Sequence, residues 1–227
     1  MTVLNVPKDS YPQARDWNQF WSLEQTQQFT KPSWSKRRII RVISPYVIKG
    51  KNALDAGCGS GFFSKFFCDQ GMRTVALDYS EKALEIARDM TKGRARLIRQ
   101  SLLCDELFSK IDERFDFIFT DGLLEHFMGM DQDKIIGNLR SILKDGGTLA
   151  TFVPNRFSPW ELIRPFFMPG IEETPFVLKK LVDVHERNGF KIVNKGGINT
   201  LPFAFSLDKY VGRFWGMLLF VIARKDE

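Results

Sequence analysis

The chain has 227 residues, 44% of them hydrophobic and 26% charged, the balance of a globular protein and not of a disordered or fibrous one. Its length suits one sizeable domain, or one domain with a cap, better than two independent domains. The net charge of +6 permits contact with nucleic acid or an anionic surface without demanding it. Three widely spaced cysteines (Cys58, Cys68, Cys104) and two histidines form neither a disulfide framework nor a ligand cluster, so no metal site is expected.

No apolar run reaches the length needed to span a bilayer, and the first residues lack the basic-then-apolar profile of a secretory signal. A cytoplasmic location is the expectation. Residues 1–45 are polar and aromatic (Tyr11, Trp17, Phe20, Trp21, Phe29, Trp34). A helix is predicted from Ser35, with Ile39, Ile40, Val42 and Ile43 as its apolar positions and Ser44-Pro45 as its interruption. The basic group Lys36-Arg37-Arg38 with Arg41 reads as a solvated face of that helix.

Residues 52–155 alternate strand and helix. Predicted strands are Ala53–Ala56, Thr74–Leu77, Ala95–Ile98, Phe115–Phe119 and Thr148–Val153. Phe62, Phe63, Phe66 and Phe67 recur at helical spacing. Ser80 is placed to cap a helix from Glu81 to Met90. Ile135, Ile136, Leu139, Ile142 and Leu143 mark a helix expected to stop at Gly146-Gly147. This rhythm implies βαβ units and a parallel sheet.

The segment from Pro154 to about residue 176 breaks the rhythm with four prolines (Pro154, Pro159, Pro165, Pro169) and with Phe157, Trp160, Phe166 and Phe167. A long insertion after a sheet strand reads as a lid or substrate loop. With the aromatic N-terminal region it would form an apolar cap suited to an apolar or aromatic small molecule. Order then returns with a helix through Leu178, Leu181, Val182 and His185, closed by Gly189. Two strands follow, at Phe190–Val193 and Phe214–Ala223. His185, on an apolar stripe, is expected to be structural.

The sharpest motif is Leu54-Asp55-Ala56-Gly57-Cys58-Gly59-Ser60-Gly61, a strand running into a glycine turn and then a helix. Such a turn sits at the carboxyl edge of a parallel sheet, where α/β folds bind ligands. Its spacing is GxGxG, not the GxGxxG of a dinucleotide loop. Asp55 at its entrance disfavours a pyrophosphate and suits an ammonium group. Asp78, at the end of the second strand, can accept bonds from both hydroxyls of a ribose.

These residues resemble the first two motifs of the class I S-adenosylmethionine-dependent methyltransferases, particularly the small-molecule branch that includes ubiquinone and menaquinone biosynthesis enzymes. The block Phe115–Ile118 followed by Asp121–His126 is similar to that family's fourth-strand block. Leu143-Lys144-Asp145-Gly146-Gly147, leading into Thr148–Val153, is similar to its fifth. The likeness runs strongly over residues 46–155 and by pattern only over 177–224.

It implies an α/β, Rossmann-like sheet of seven mostly parallel strands with helices on both faces and the last strand antiparallel. An N-terminal helical cap (1–45) would sit on a cofactor-binding domain (46–227). It also implies S-adenosylmethionine held by Asp55, Gly57, Cys58, Gly59, Gly61, Asp78, Tyr79, Ser101, Leu102 and Asp121. Where the family often carries Asp or Asn against the adenine, this chain has Ser101, whose hydroxyl can accept a bond, beside the Leu102 N–H.

His126, by the same analogy near the methyl donor, could take a proton from a hydroxyl acceptor; equally, it could hold the pocket wall. Nucleic acid is the less favoured acceptor. Thr120-Asp121-Gly122-Leu123 stands where an amino-methylating enzyme would carry an Asn-Pro-Pro-Tyr-like motif. A cofactor-binding subunit without turnover is a second alternative, and a nicotinamide oxidoreductase a third, against which the GxGxG spacing and Asp55 speak.

Overall fold

A computed structural model describes residues 13–105, 107–162, 173–201, 203 and 205–226. Tyr11, Pro165, Phe166, Phe167 and Pro169 lie outside the described residues. The N-terminal part is helical: α1 (Gln13–Ser22), a 3-10 segment (Glu24–Thr30) and α2 (Trp34–Ile43). Ser33 caps α2 by accepting the Lys36 N–H at 3.2 Å. A 3-10 turn over Ser44–Tyr46 follows, with Pro45 where the helix would need an N–H.

The strand-helix alternation then runs β1 (Asn52–Ala56), α3 (Phe62–Asp69), β2 (Arg73–Asp78), α4 (Glu81–Thr91), β3 (Arg96–Arg99), α5 (Leu107–Lys110), β4 (Phe115–Asp121), α6 (Met130–Ile142) and β5 (Leu143–Pro154). The chain closes with α7 (Leu178–Arg187), β6 (Phe190–Ile198), α8 (Asp208–Trp215) and β7 (Leu218–Lys225).

The seven strands form one sheet in the order β3-β2-β1-β4-β5-β7-β6. Pairing is parallel from β3 through β5, and β7 runs antiparallel to both β5 and β6. The order reverses between β1 and β4. The strand ends on either side of that point diverge and leave a crevice at the carboxyl edge.

One face of the sheet packs α5, α6 and α7 through residues such as Leu107, Ile135, Leu139 and Leu181. The other packs α2 and α3 and is built from phenylalanine. Phe63 and Phe67 on α3 meet Phe119 of β4 at 4.5 and 5.7 Å between ring centroids. The contacts continue through Phe152 of β5 to Phe220 of β7, each step 5.7 Å. Much of the chain's phenylalanine therefore lies under α3, where offset and edge-on ring pairs knit strands and helix together. Ile39 and Ile43 of α2 join the same cluster, so the N-terminal helices share the sheet's core.

Three expectations are corrected. Helix α6 stops at Ile142, not at Gly146-Gly147. Leu143 is already extended (φ −84°, ψ 138°) and pairs with Phe115. The glycines fall in the register shift between the Phe115 and Phe117 pairings, so they mark an irregularity inside β5.

Phe214 and Trp215 are the last turn of α8, not the start of a strand; β7 begins at Leu218. The helix is possible there because Gly197 and Gly212 let α8 lie backbone to backbone on β6. A Cβ on Gly197 would come within 2.0 Å of the Gly212 carbonyl oxygen. An apolar run alone does not separate these readings.

The basic group on α2 is solvated only in part. Arg37 and Arg41 are exposed, but Arg38 is 6% exposed. Its guanidinium donates to Asn199 Oδ1 at 3.1 Å and to the carbonyls of Leu201 (2.7 Å) and Phe203. Asp208 stands 3.6 Å from it.

Phe67 is fully buried, whereas Phe214 is 51% exposed. Phe67→Ala is expected to lower stability by about 3–5 kcal/mol, and Phe214→Ala to stay within about 0.5 kcal/mol of wild type. Urea unfolding of both variants checks this. Equal, small effects would contradict the packing described.

Candidate functional site

A cleft of about 790 Å³ lies over the carboxyl ends of β1, β2 and β4, roofed by the N-terminal helices. On leaving β1 the chain turns at once. The N–H groups of Gly57 and Cys58 both donate to the Leu77 carbonyl, at 2.8 and 3.0 Å, which hangs the glycine loop on β2. The Asp78 carboxylate then grips it. Oδ2 accepts from the Gly59 N–H at 2.9 Å and Oδ1 from the Ser80 N–H at 2.8 Å.

Ser80 Oγ accepts the Ala83 N–H at 3.1 Å and caps α4. Burial pushes the Asp78 carboxyl above the usual carboxylate range, against the pull of these backbone donors. With four acceptor sites, the Asp78 carboxylate keeps capacity for a ligand hydroxyl beside its backbone donors.

Trp21 of α1 lies directly on the loop. A Cβ on Gly59, whose φ is +48°, would stand 2.5 Å from its ring. Ser60 Oγ donates to the Phe29 carbonyl at 2.9 Å, and Ser80 Oγ donates to Asn18 Oδ1 at 2.8 Å. The N-terminal helices are thus fastened to the glycine loop at Ser60 and to the head of α4 at Ser80.

Asp55, 2% exposed, accepts the Ser64 hydroxyl at 2.6 Å. Burial raises its carboxyl to about 7, with smaller contributions from the charges of Asp121 and Asp78. Asp121, at the end of β4, is also raised to about 7 by burial, opposed by the charge of Lys36. Lys36 is lowered to about 8 by burial, opposed by Asp121. Its ammonium donates to the carbonyls of Phe29 and Lys31 and lies 4.1 Å from the Phe62 ring centroid.

The structure gathers Asp55, Gly57, Cys58, Gly59, Asp78, Tyr79, Ser101, Leu102, Asp121 and His126 around this one cleft. Gly61 lies behind the wall, where a Cβ would meet the backbone of Ala87 at 2.6 Å; it lets α3 and α4 close up. Ser101 Oγ accepts the Leu103 N–H at 3.2 Å, and the neighbouring Gln100 is buried. His126 packs edge-on against Trp17, 4.7 Å between centroids.

Sequence reasoning named neither Gln100 nor Glu125 as a cleft residue, placed Lys36 on a solvated face, and included Trp21 only within the aromatic cap. Glu125 stood inside a block already singled out, beside His126. Lys36 carried no signal, because its role depends on α2 folding back over β4.

Residues 54–151 match the methyltransferase domain family. The ubiquinone biosynthesis O-methyltransferase of Coxiella burnetii is 32% identical over 109 residues, 48% of this chain and 46% of that protein. That of Pelagibacter ubique is 25% identical over 162 residues, 67% and 66% of the two chains. The chain spans about half the length of the first of these curated relatives.

Among solved structures, the N-methyltransferase NodS of Bradyrhizobium japonicum with S-adenosyl-L-homocysteine superposes with a TM-score of 0.68 at 16% identity, covering 94% and 98% of the chains. A methyltransferase of Archaeoglobus fulgidus gives 0.65 at 18% identity, covering 88% and 97%. The sheet has the Rossmann-like fold of these solved methyltransferases, and the stretch that matches the methyltransferase domain family, residues 54–151, runs from β1 to β5. Its sequence kinship lies with methyltransferases of ubiquinone biosynthesis.

His185 stands outside the cleft walls. It is fully buried, with one ring nitrogen 2.9 Å from Thr151 Oγ and the other 2.8 Å from the Leu181 carbonyl. Burial lowers its pKa to about 4, so it is neutral and structural, as the apolar stripe implies. Between about pH 6.5 and 4 the unfolded chain takes up a proton at this residue that the folded chain refuses. Stability from this group therefore falls with pH across that window, by about 3 kcal/mol in total. Urea unfolding across pH 4–7 should show this fall in the wild type relative to His185→Gln. Parallel curves for the two proteins would refute it.

Proposed function

We propose that the protein binds S-adenosylmethionine and transfers its methyl group, by in-line displacement, to an oxygen or nitrogen of a small or medium, fairly apolar acceptor. The observation that carries this reading is the glycine loop held between two buried acids, Asp55 and Asp78, in one cleft. The cofactor, when bound, supplies a sulfonium methyl already activated for transfer.

The residues fit such a group. Asp78 has acceptor capacity for ribose hydroxyls, and the loop from Gly57 to Gly59 leaves no side chain in the way. Asp55, raised to about 7 and bonded to one hydroxyl, can ionise against an ammonium. Tyr79, Ser101 and Leu102 would wall the adenine side, with Cys58 as loop backbone and Asp121 beside the methionyl part. The size of the cleft falls within the range of ordinary small-ligand pockets.

The protein's own work is then to align acceptor and methyl and to exclude water. Trp17, Trp21 and Phe29 line the cleft over the loop, which supports reading the N-terminal helices as a cap on the domain that follows them. The segment around Trp160 is the other lip. His126, beside Trp17, is the candidate base for a hydroxyl acceptor; an amine needs only to arrive neutral. No described helix is long and apolar enough to cross a membrane, in keeping with a cytoplasmic enzyme acting on a small molecule.

Calorimetric titration tests the reading. S-adenosylmethionine and S-adenosylhomocysteine are expected to bind at micromolar concentration and NAD not to bind. Asp78→Ala should weaken both by roughly tenfold to a hundredfold, since charged hydrogen bonds contribute about 1.5–3 kcal/mol each. No binding of either ligand to folded wild type would refute it.

The pH dependence gives a second test. An ammonium needs the ionised form of Asp55, so affinity should rise from pH 5 towards 7 and then level off. In Asp55→Asn the curve should be lower and flatter. An unchanged slope in that variant would remove Asp55 from the site.

A further inference from the structure

Between Asn199 and Trp215 the chain is built the wrong way round for a segment that faces water. Its polar groups turn inward. The Arg38 guanidinium of α2 donates to Asn199 Oδ1 and to the carbonyls of Leu201, Phe203 and Phe205. Asp208 accepts the N–H and the hydroxyl of Thr200, both at 2.8 Å, and the hydroxyl of Ser206. The rings turn outward. Phe203 is 65% exposed, Phe205 67%, Tyr210 73%, Phe214 51% and Trp215 60%.

Helix α8 repeats the inversion. A helix lying on a sheet ordinarily buries its apolar stripe. The residue that α8 buries is Gly212, pressed on Gly197 of β6, while Tyr210 and Phe214, one turn apart, stand in solvent. The backbone that carries these rings is fixed. Arg38 holds the 201–205 stretch from beneath. Asn155 Nδ2, just past the end of β5, donates to the carbonyls of Phe214 at 3.1 Å and Gly216 at 2.9 Å. Scattered exposed apolar residues need no explanation, but rings gathered on one short segment mark an interaction surface.

Charge says what that surface meets. Asp208 is the one acid between Asn199 and Trp215, and it is spent on the interior contacts above. The two cations of α8, Lys209 and Arg213, are exposed and lie over rings of the patch. Lys209 Nζ is 6.0 Å from the Tyr210 centroid, and the Arg213 guanidinium is 4.6 Å from that of Phe214. Aromatic rings interleaved with cations match the headgroup layer of an anionic bilayer, where Trp and Tyr settle and Lys and Arg meet lipid phosphates. A second copy of the chain, packed here by a two-fold axis, would set these cations against their own kind.

We propose that residues 199–215 seat the protein on an anionic membrane surface, with the rings among the headgroups and Lys209 and Arg213 on the phosphates. The contact is peripheral, since no described helix is long and apolar enough to cross a membrane. The inference stands independently of the reaction in the cleft.

Cosedimentation of the full chain with vesicles tests it. Mixed phosphatidylcholine–phosphatidylserine vesicles are expected to bind the protein at least tenfold more tightly than pure phosphatidylcholine. Two exposed double variants, Phe214→Ala with Trp215→Ala and Lys209→Ser with Arg213→Ser, should each weaken binding to the mixed vesicles by about tenfold or more. Removing two cations on the other face of the sheet, Lys179→Ser with Lys180→Ser on α7, should change it less than threefold. Circular dichroism checks that every variant is folded.

No binding to the mixed vesicles, or equal binding to both kinds, would overturn the proposal. So would a loss as large in the α7 variant, which would mean adsorption by net charge alone, or unchanged binding in the ring variant. A dimer in sedimentation velocity that the ring variant abolishes, without vesicle binding, would give the surface to a second copy instead.

Discussion

The Asp78 carboxylate joins the glycine loop after β1 to the head of α4. Its two oxygens accept the N–H of Gly59 in the loop after β1 and that of Ser80 at the head of α4. Ser80 in turn donates to Asn18 of α1. Neither the loop nor the start of α4 could satisfy these donors internally, because a turn and a helix N-terminus both leave N–H groups unpaired. One acid at the end of β2 thus fixes the shape of the cleft floor and anchors the roof above it. The raised proton affinity of this group follows from the same burial. A site that must be dry enough to strengthen its hydrogen bonds also penalises the charge that makes them.

The roof depends on a second buried charge. Arg38 leaves solvent on α2 to meet Asn199, the carbonyls of the 201–203 segment and Asp208. Its desolvation is tolerable because several acceptors share its donors. That contact sets the pitch of α2 across the sheet, and the pitch brings Lys36, two residues earlier, against Asp121 and the Phe62 ring. The N-terminal helices are therefore clamped at Asn18 on one side and Arg38 on the other. Beside the first of these clamps Trp17 and Trp21 face the cleft.

Much of this was legible from the chain alone, for reasons that differ by residue. The sheet order follows from strand-helix alternation, whose period survives in any parallel α/β sequence. The places of Asp55 and Asp78 at the cleft were legible because they are tied to strand ends and to glycines at fixed spacing. The failures share a cause. Leu143, Phe214 and Trp215 sit in apolar runs that suit either a helix turn or a strand, and tertiary contacts decided between them. For the latter two the deciding contact was the Gly197–Gly212 approach. Arg38 and Lys36 looked like a solvated face because a basic run on a helix usually is one. Their partners lie about 160 residues on for Arg38 and at the end of β4 for Lys36, distances over which local pattern carries no information.

The distribution of charge shows how these pieces act together. The chain as a whole carries +6, yet the cleft is lined with acids. Such segregation cannot be accidental to folding, since gathering carboxylates in a half-buried space raises the proton affinity of Asp55, Asp121 and Glu125 alike. Each of these groups would be easier to keep in water. The fold instead uses backbone ties around Glu125 and a hydroxyl at Ser64 to hold them inward. That arrangement is stabilised when cationic groups enter, and two acids close to the glycine loop are enough for a cofactor bearing an ammonium. Glu125 lies beyond that loop, past β4. Its backbone ties to Thr174 and Gln132 hold that side chain at the cleft wall in the same way.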